Sequence, residues 1–245
     1  VDAVVVPTQA FDEVLESYGV PGQRYINPTG IDLTRFGHGG DGARFKQQRG
    51  IDPSRPSLVF VGRIVHEKNI DFLLRVVASI KRTLPEILFI LAGEGPAEAH
   101  LRHEVRRLGL ESNLHFVGNL HTLQELLDCY CAGNVFIFAS RTETQGLVLL
   151  EAMALGVPVV STARMGTCDI LAPGLGALVS EESVEEFAEK VVRILRDEAL
   201  ARRLSGEGKA YVHHWSAAEM ARRLEGIYLE TVGRVKPEPV LQTER

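Results

Sequence analysis

Three cysteines in 245 residues are too few for a disulfide-stapled secreted module, whose small core depends on dense cross-linking. No uncharged apolar run reaches the ~18–20 residues that a membrane-spanning helix needs. Positive charge is not in excess: 27 Lys and Arg face 32 Asp and Glu, and the net charge of −5 argues against wholesale nucleic-acid binding. There is no signal-peptide pattern and no initiator Met, since the chain opens on Val1-Asp2-Ala3-Val4-Val5-Val6. We therefore expect a piece of a longer protein, kept in a reducing, cytoplasmic compartment. What the chain does have is apolar material, 45% of residues, with balanced charge. That combination excludes disorder and allows a substantial core.

Short apolar runs alternate with amphipathic stretches. Residues 4–6 read as a buried strand, 11–18 as a helix ended by Gly19-Val20-Pro21-Gly22, and Tyr25-Ile26 as a second extended segment. Between residues 27 and 55 the pattern decays, and Gly37, Gly39, Gly40 and Gly42 crowd into six residues. The cluster follows no strand and lacks a Gly-Lys-Ser/Thr ending, which favours a flexible connection over a phosphate loop. Order resumes with a strand over 57–62, apolar enough to be covered on both faces. A helix follows with Leu73, Val76, Val77, Ile80 and Leu84 on one stripe, and Pro85 stops it.

Strands over 87–92, 114–117, 135–139, 157–161 and 177–179 then alternate with helices over 97–108, 123–131, 146–155 and 184–195. Crossovers of about a dozen residues predict an α/β fold, a Rossmann-like parallel sheet with helices on both faces. In such sheets ligands bind beyond the carboxyl ends of the strands. The loops over 62–68, 93–96, 118–122, 140–145 and 162–167 are therefore the ones to examine.

Chemistry collects after the strand at 135–139. Between Thr144 and Ala163 the only charge is Glu151, inside a helix apolar almost all round. A lone carboxylate there costs several kcal/mol unless something pairs with it. An ion pair with a distant basic residue would serve, and so would a vicinal diol whose hydroxyls satisfy both oxygens. Glu151 lies one turn beyond Leu147 and is expected to face the mouth of the cleft. Gly146 opens the helix, and the free N–H groups of Gly146, Leu147 and Val148 would form an anion site. Glu143, in the preceding loop, is either a solvated charge or a holder of hydroxyls on a group attached to that anion. Both acids around one glycine strengthen the ligand readings. Arg63 and Lys68, leaving the strand at 57–62 through Gly62, could neutralise a diphosphate. Gly93-Glu94-Gly95-Pro96 reads as a tight turn.

These residues resemble the retaining glycosyltransferases of the large group 1 class, family four. Glu143 and Glu151 in Glu-Thr-Gln-Gly-Leu-Val-Leu-Leu-Glu are similar to its E-x7-E pattern. Phe60-Val61-Gly62-Arg63, Glu67-Lys68-Asn69, Ala92-Gly93-Glu94-Gly95-Pro96, Phe116-Val117-Gly118 and Pro28-Thr29-Gly30-Ile31-Asp32 resemble further blocks in the expected order, over residues 1–232. The resemblance implies a GT-B architecture, two Rossmann-like lobes facing a cleft, with a nucleotide-sugar donor held by the C-terminal lobe. Carried over by position, Arg63 and Lys68 would contact the diphosphate and Glu143 the transferred sugar. Gly62 would line the same site, Gly146, Leu147 and Val148 would offer backbone amides, and Glu151 would hold the ribose. Asn119 and Leu120 would lie beside the base, largely through backbone contacts. No cofactor and no metal are implied.

The family's acceptor-binding lobe is almost wholly missing, so the chain reads as a donor-binding half. We expect residues 1–50 to be a remnant of that lobe with the linker, and 51–215 to be the nucleotide-sugar-binding domain. Residues 216–232 should form a crossover helix and 233–245 a disordered tail. The partners implied are a nucleotide-sugar donor and an unknown acceptor, a lipid or glycan, with peripheral membrane association through the missing lobe as an option. No acid beyond Glu143 is indicated at the cleft. The eight His are scattered, adjacent His213-His214 suit a helix surface, and Cys129-x-Cys131 suits core packing, so no metal site is expected. A nucleotide-sugar epimerase and a non-catalytic nucleotide-sugar-binding module remain the rival readings.

Overall fold

Two parallel sheets organise the chain in the computed structural model, which describes residues 1–234. The first is small: β1 (Ala3–Val6) and β2 (Gln23–Ile26), joined through helix α1 (Gln9–Ser17). Thr8 caps α1 by accepting from the Phe11 amide. Two short helices follow, α2 (Leu33–Phe36) and α3 (Gly42–Gln48).

The glycine-rich stretch is therefore not the flexible connection expected of it. A Cβ on Gly40 would lie 2.3 Å from the Leu127 carbonyl oxygen, and one on Gly42 2.0 Å from that of Cys131. The glycines let this backbone press against another helix. Asp41 caps α3 and donates its own N–H to Asp128 at 2.7 Å, while Arg44 pairs with the same Asp128 at 2.6 Å.

The remaining chain runs β3 (Ser57–Val61), α4 (Ile70–Lys81), β4 (Leu88–Ala92), α5 (Glu98–Arg107), β5 (Leu114–Gly118), α6 (Leu123–Ala132), β6 (Val135–Phe138) and α7 (Leu147–Ala154). It continues through β7 (Val159–Ser161), α8 (Thr167–Leu171), β8 (Ala177–Val179), α9 (Val184–Arg196), α10 (Glu198–Tyr211) and α11 (Ala217–Arg234). Strands β3 to β8 form one parallel sheet in the order β5-β4-β3-β6-β7-β8. Residues 88–92 and 135–138 are wholly buried, as strands covered on both faces must be. Helix α4 meets α9 through an edge-to-face contact of Phe72 and Phe187 at 5.5 Å. Thr122 and Glu125 close a capping box at the start of α6.

The sequence periodicity predicted neither α8 nor α10. Gly206 and Gly208 break the apolar stripe of α10, and a Cβ on Gly176 would lie 2.5 Å from the Gly208 Cα, so this helix docks through glycines. Cys129 is buried as expected, its thiol pushed up to about 12 by desolvation. Trp215 stacks edge-on against Tyr211 at 6.2 Å, and His213 and His214 are exposed. The linker after β2 touches the start of α11: Ile31 donates to the Trp215 carbonyl at 2.8 Å, and Asn27 Nδ2 to that of Met220 at 3.3 Å. The expected tail lies, from residue 235 onward, outside the described residues. Among the described residues no helix is long and apolar enough to cross a membrane.

Candidate functional site

The strand order reverses direction between β3 and β6, which places a crevice between the loops that leave their carboxyl ends. Those loops are tied together: the Glu67 carbonyl accepts from the Arg141 amide at 3.0 Å and from Ser140 Oγ at 3.3 Å. Ile64 N donates to the Glu94 carbonyl at 2.9 Å, and Gly93 N to that of Gly118 at 2.8 Å, so the loops after β3, β4 and β5 form one sheet-end cluster. A Cβ on Gly93 would sit 2.0 Å from the Gly62 oxygen; only glycine permits this approach.

A cavity of about 560 Å³ opens there. Gly62, Arg63, Lys68, Glu143, Gly146, Leu147 and Val148 all line it, so seven of the residues singled out in the sequence share one cavity. Lys68 Nζ forms an ion pair with Glu143, both side chains being mostly buried, and stands 5.7 Å above the Phe138 ring. Arg63 is exposed and makes no ion pair among the described residues. Gly146 has φ +90°, in the left-handed region that glycine adopts freely. Among the described residues the N–H groups of Gly146, Leu147 and Val148 find no protein acceptor; the first intrahelical bond of α7 is from Leu149 N to the Gly146 oxygen.

The rest of the lining includes β1 and the residues that follow the two strands of the small sheet: Val5, Val6, Pro7, Asn27 and Thr29. Gln145, buried, holds the last of these in place: its Oε1 accepts from Thr29 N and its Nε2 donates to the Thr29 oxygen, both at 2.8 Å. Thr8 Oγ1 adds a bond to the Thr144 carbonyl at 3.2 Å. Sequence reasoning missed Gln145 and Thr29. Their partnership spans 116 positions, and a glutamine inside a recognised block carries no local sign of a distant backbone partner.

Asn119 and Leu120 do not line that cavity. They line a smaller one of about 210 Å³ that adjoins it through Val61, Gly62 and Arg63. Glu94 lines it too, accepting from Asn119 Nδ2 at 2.8 Å. The expectation of no acid beyond Glu143 at the cleft is thus corrected, and Gly93-Glu94-Gly95-Pro96 is more than a turn. The crossover through α5 that lays β5 parallel to β4 brings the loops after both strands together and sets Glu94 against Asn119.

Glu151 needs a second correction. It lines neither cavity, because it lies one helical turn deeper than Leu147 in a helix enclosed on most sides. Its partner is neither a cation nor open space: Tyr130 Oη donates to Oε2 at 2.5 Å. Among the described residues one oxygen, not two, is left without a protein donor. Burial pushes the Glu151 carboxyl above the usual carboxylate range, and the Tyr130 bond offsets this only in part. Tyr130, wholly buried beside that acid, is pushed well above its ordinary value. Among the described residues no group of three His, Cys, Asp or Glu side chains is placed to hold a metal ion.

The family described as glycosyl transferases group 1 matches residues 41–211. The chain belongs to this family. It is 34% identical over 230 residues to D-inositol 3-phosphate glycosyltransferase 2 of Catenulispora acidiphila, a match covering 87% of this chain and 52% of that one. With the alpha-monoglucosyldiacylglycerol synthase of Streptococcus pneumoniae it shares 31% over 169 residues, 66% of this chain and 37% of the relative. Sucrose-phosphate synthase from Thermosynechococcus elongatus superposes with a TM-score of 0.80 at 26% identity, over 95% of this chain and 59% of that chain. Anabaena Alr3699/HepE, solved in complex with UDP-glucose, gives 0.83 at 18% identity over 94% and 64%, a likeness of fold alone. The six-stranded sheet is accordingly that of a GT-B group 1 lobe. The chain spans about half the length of the curated relatives it matches.

Proposed function

We propose that this chain is the donor-binding half of a glycosyltransferase that takes a sugar from a nucleotide diphosphate sugar and passes it, with retained anomeric configuration, to a lipid or glycan hydroxyl. One observation carries the reading: two cations, one carboxylate and three unpaired helix-opening amides converge in a single cavity at the β3–β6 switch. Arg63 and Lys68 neutralise the diphosphate, while the amides of Gly146, Leu147 and Val148 receive its oxygens or those of the sugar. Glu143 accepts from sugar hydroxyls. Its ion pair with Lys68 holds both side chains at the boundary between sugar and phosphate. The oxygen of Glu151 that Tyr130 leaves free lies one turn beyond Leu147, on a side chain that keeps partial exposure. It takes a ribose hydroxyl at the edge of the larger cavity, while Asn119 and Leu120, in the adjoining cavity, border the base.

As the anomeric C–O bond breaks, negative charge grows on the departing diphosphate, where Arg63, Lys68 and the α7 amides lie. The acceptor attacks from the same face, because Glu143, the only acid lining the larger cavity among the described residues, is held by Lys68 and serves the sugar hydroxyls rather than the anomeric carbon. The acceptor hydroxyl gives its proton to the departing phosphate oxygen. The UDP-glucose of the Anabaena structure supports a nucleotide-sugar donor. The name of the S. pneumoniae relative supports a lipid acceptor, and with it a place at the cytoplasmic face of a membrane. Isothermal titration with UDP, GDP and ADP tests the donor half. Binding of one diphosphate, weakened about tenfold or more by Lys68→Ala, is expected; no heat with any of the three ends the reading.

A further inference from the structure

At the other end of α7, away from Gly146, lies a separate cavity of about 440 Å³. His38, Lys209 and His213 line it, with no acidic side chain among its lining residues. None of the three makes an ion pair among the described residues. Lys209 is laid toward α7 because residue 156 is glycine: a Cβ there would lie 2.3 Å from Lys209 Cε and 3.0 Å from its Nζ. Each imidazole has an N–H to donate whether or not its second nitrogen is protonated. The cavity also holds the last turn of α7, where the carbonyls of Ala154 and Leu155 take no protein donor among the described residues.

A bare anion would meet the lysine and imidazoles well but would face those carbonyls with nothing to offer them. A ligand that carries a phosphate at one end and hydroxyls at the other satisfies both sets of groups. We propose that this cavity is a second ligand site, distinct from the one at the β3–β6 switch, for a phosphorylated polyol. The phosphate sits among His38, Lys209 and His213, and the hydroxyls donate to the Ala154 and Leu155 oxygens. Gly39, which a side chain could occupy without meeting any atom within 4 Å, leaves the rim open for entry.

The test uses the full chain, titrated with inorganic phosphate and with glycerol 3-phosphate, while histidine ring signals are followed by NMR. Shifts of the His38 and His213 signals are expected, with glycerol 3-phosphate binding more tightly than inorganic phosphate. Lys209→Gln should weaken both by about tenfold or more, whereas Lys68→Gln should leave both unchanged. Titration that is lost in Lys68→Gln and kept in Lys209→Gln would assign the phosphate to the other cavity and overturn the proposal. Unmoved histidine signals would overturn it as well. Equal affinity for the two probes would remove the hydroxyl half of the ligand. Only the outcome that assigns the phosphate to the other cavity touches the donor site, and it supports that reading while overturning this one, so the two site readings fail independently.

Discussion

Lys68 and Glu151 show how differently two charges can be held in one lobe. Lys68 stands in the cavity wall with Glu143 as its partner, and a group that neutralises growing leaving-group charge contributes more in the transition state than in the ground state. In the full-length protein Lys68→Ala should therefore lower turnover by about 10²-fold or more, with a smaller change in donor KM, in steady-state sugar-transfer kinetics. Turnover near the native value would contradict the leaving-group role. Glu151 acts from inside the fold. Because its folded carboxyl is raised above the unfolded value, the folded chain keeps that proton longer. Stability then falls as pH rises from the ordinary carboxylate range to the raised value, and levels off above it. Glu151→Gln lacks that loss. Thermal melts from about pH 4 to about pH 7 should show the Tm difference moving in favour of the Gln variant. A difference independent of pH would mean that the carboxyl is not perturbed. Of this pair, the sequence exposed the isolated acid but not Tyr130, which sits 21 positions earlier on another helix and reads there as ordinary core.

Among the elements, legibility follows burial. Strands such as β4 and β6 are covered on both faces, so their whole length is apolar and their runs stand out. Helix α3 is seven residues long, begins on a glycine and is placed by contacts with α6 that no local pattern records. The candidate site was legible where the fold rule applied, at loops after β3 and β6, and illegible where long-range pairing decided it, as at Gln145 with Thr29. Gly42 separates the two accounts of the glycine cluster by sign. In a flexible connection, or at the start of an undocked helix, Gly42→Ala would stabilise slightly by reducing the freedom of the unfolded chain. Against the Cys131 carbonyl, a methyl at 2.0 Å forces helices apart, and the substitution should cost about 3 kcal/mol in urea unfolding. A stabilised variant would show that α3 and α6 are not in contact through this backbone.

At the scale of the whole molecule, the two sheets are unequal partners. A two-stranded sheet is marginal alone, and β1 and β2 expose Val5 and Ile26 at 41% each. What fixes the small sheet to the large one is a few polar ties: Thr8 to Thr144, Thr29 to Gln145, and Gln9 N to Asp169 at 2.8 Å. Local opening of residues 1–26 should therefore cost less than global unfolding, and their amides should exchange about tenfold or more faster than those of β3 and β4. The larger cavity is lined by Val6, Pro7, Asn27 and Thr29 as well as by Arg63 and Glu143. A nucleotide diphosphate sugar seated there touches both sheets and favours the closed arrangement by its differential affinity for it. Hydrogen exchange with and without the bound donor should thus show protection spreading from the loops after β3 and β6 into β1 and β2. Protection confined to the six-stranded sheet would mean that the donor seats without the small sheet, and that Gln145 anchors a segment with no share in binding.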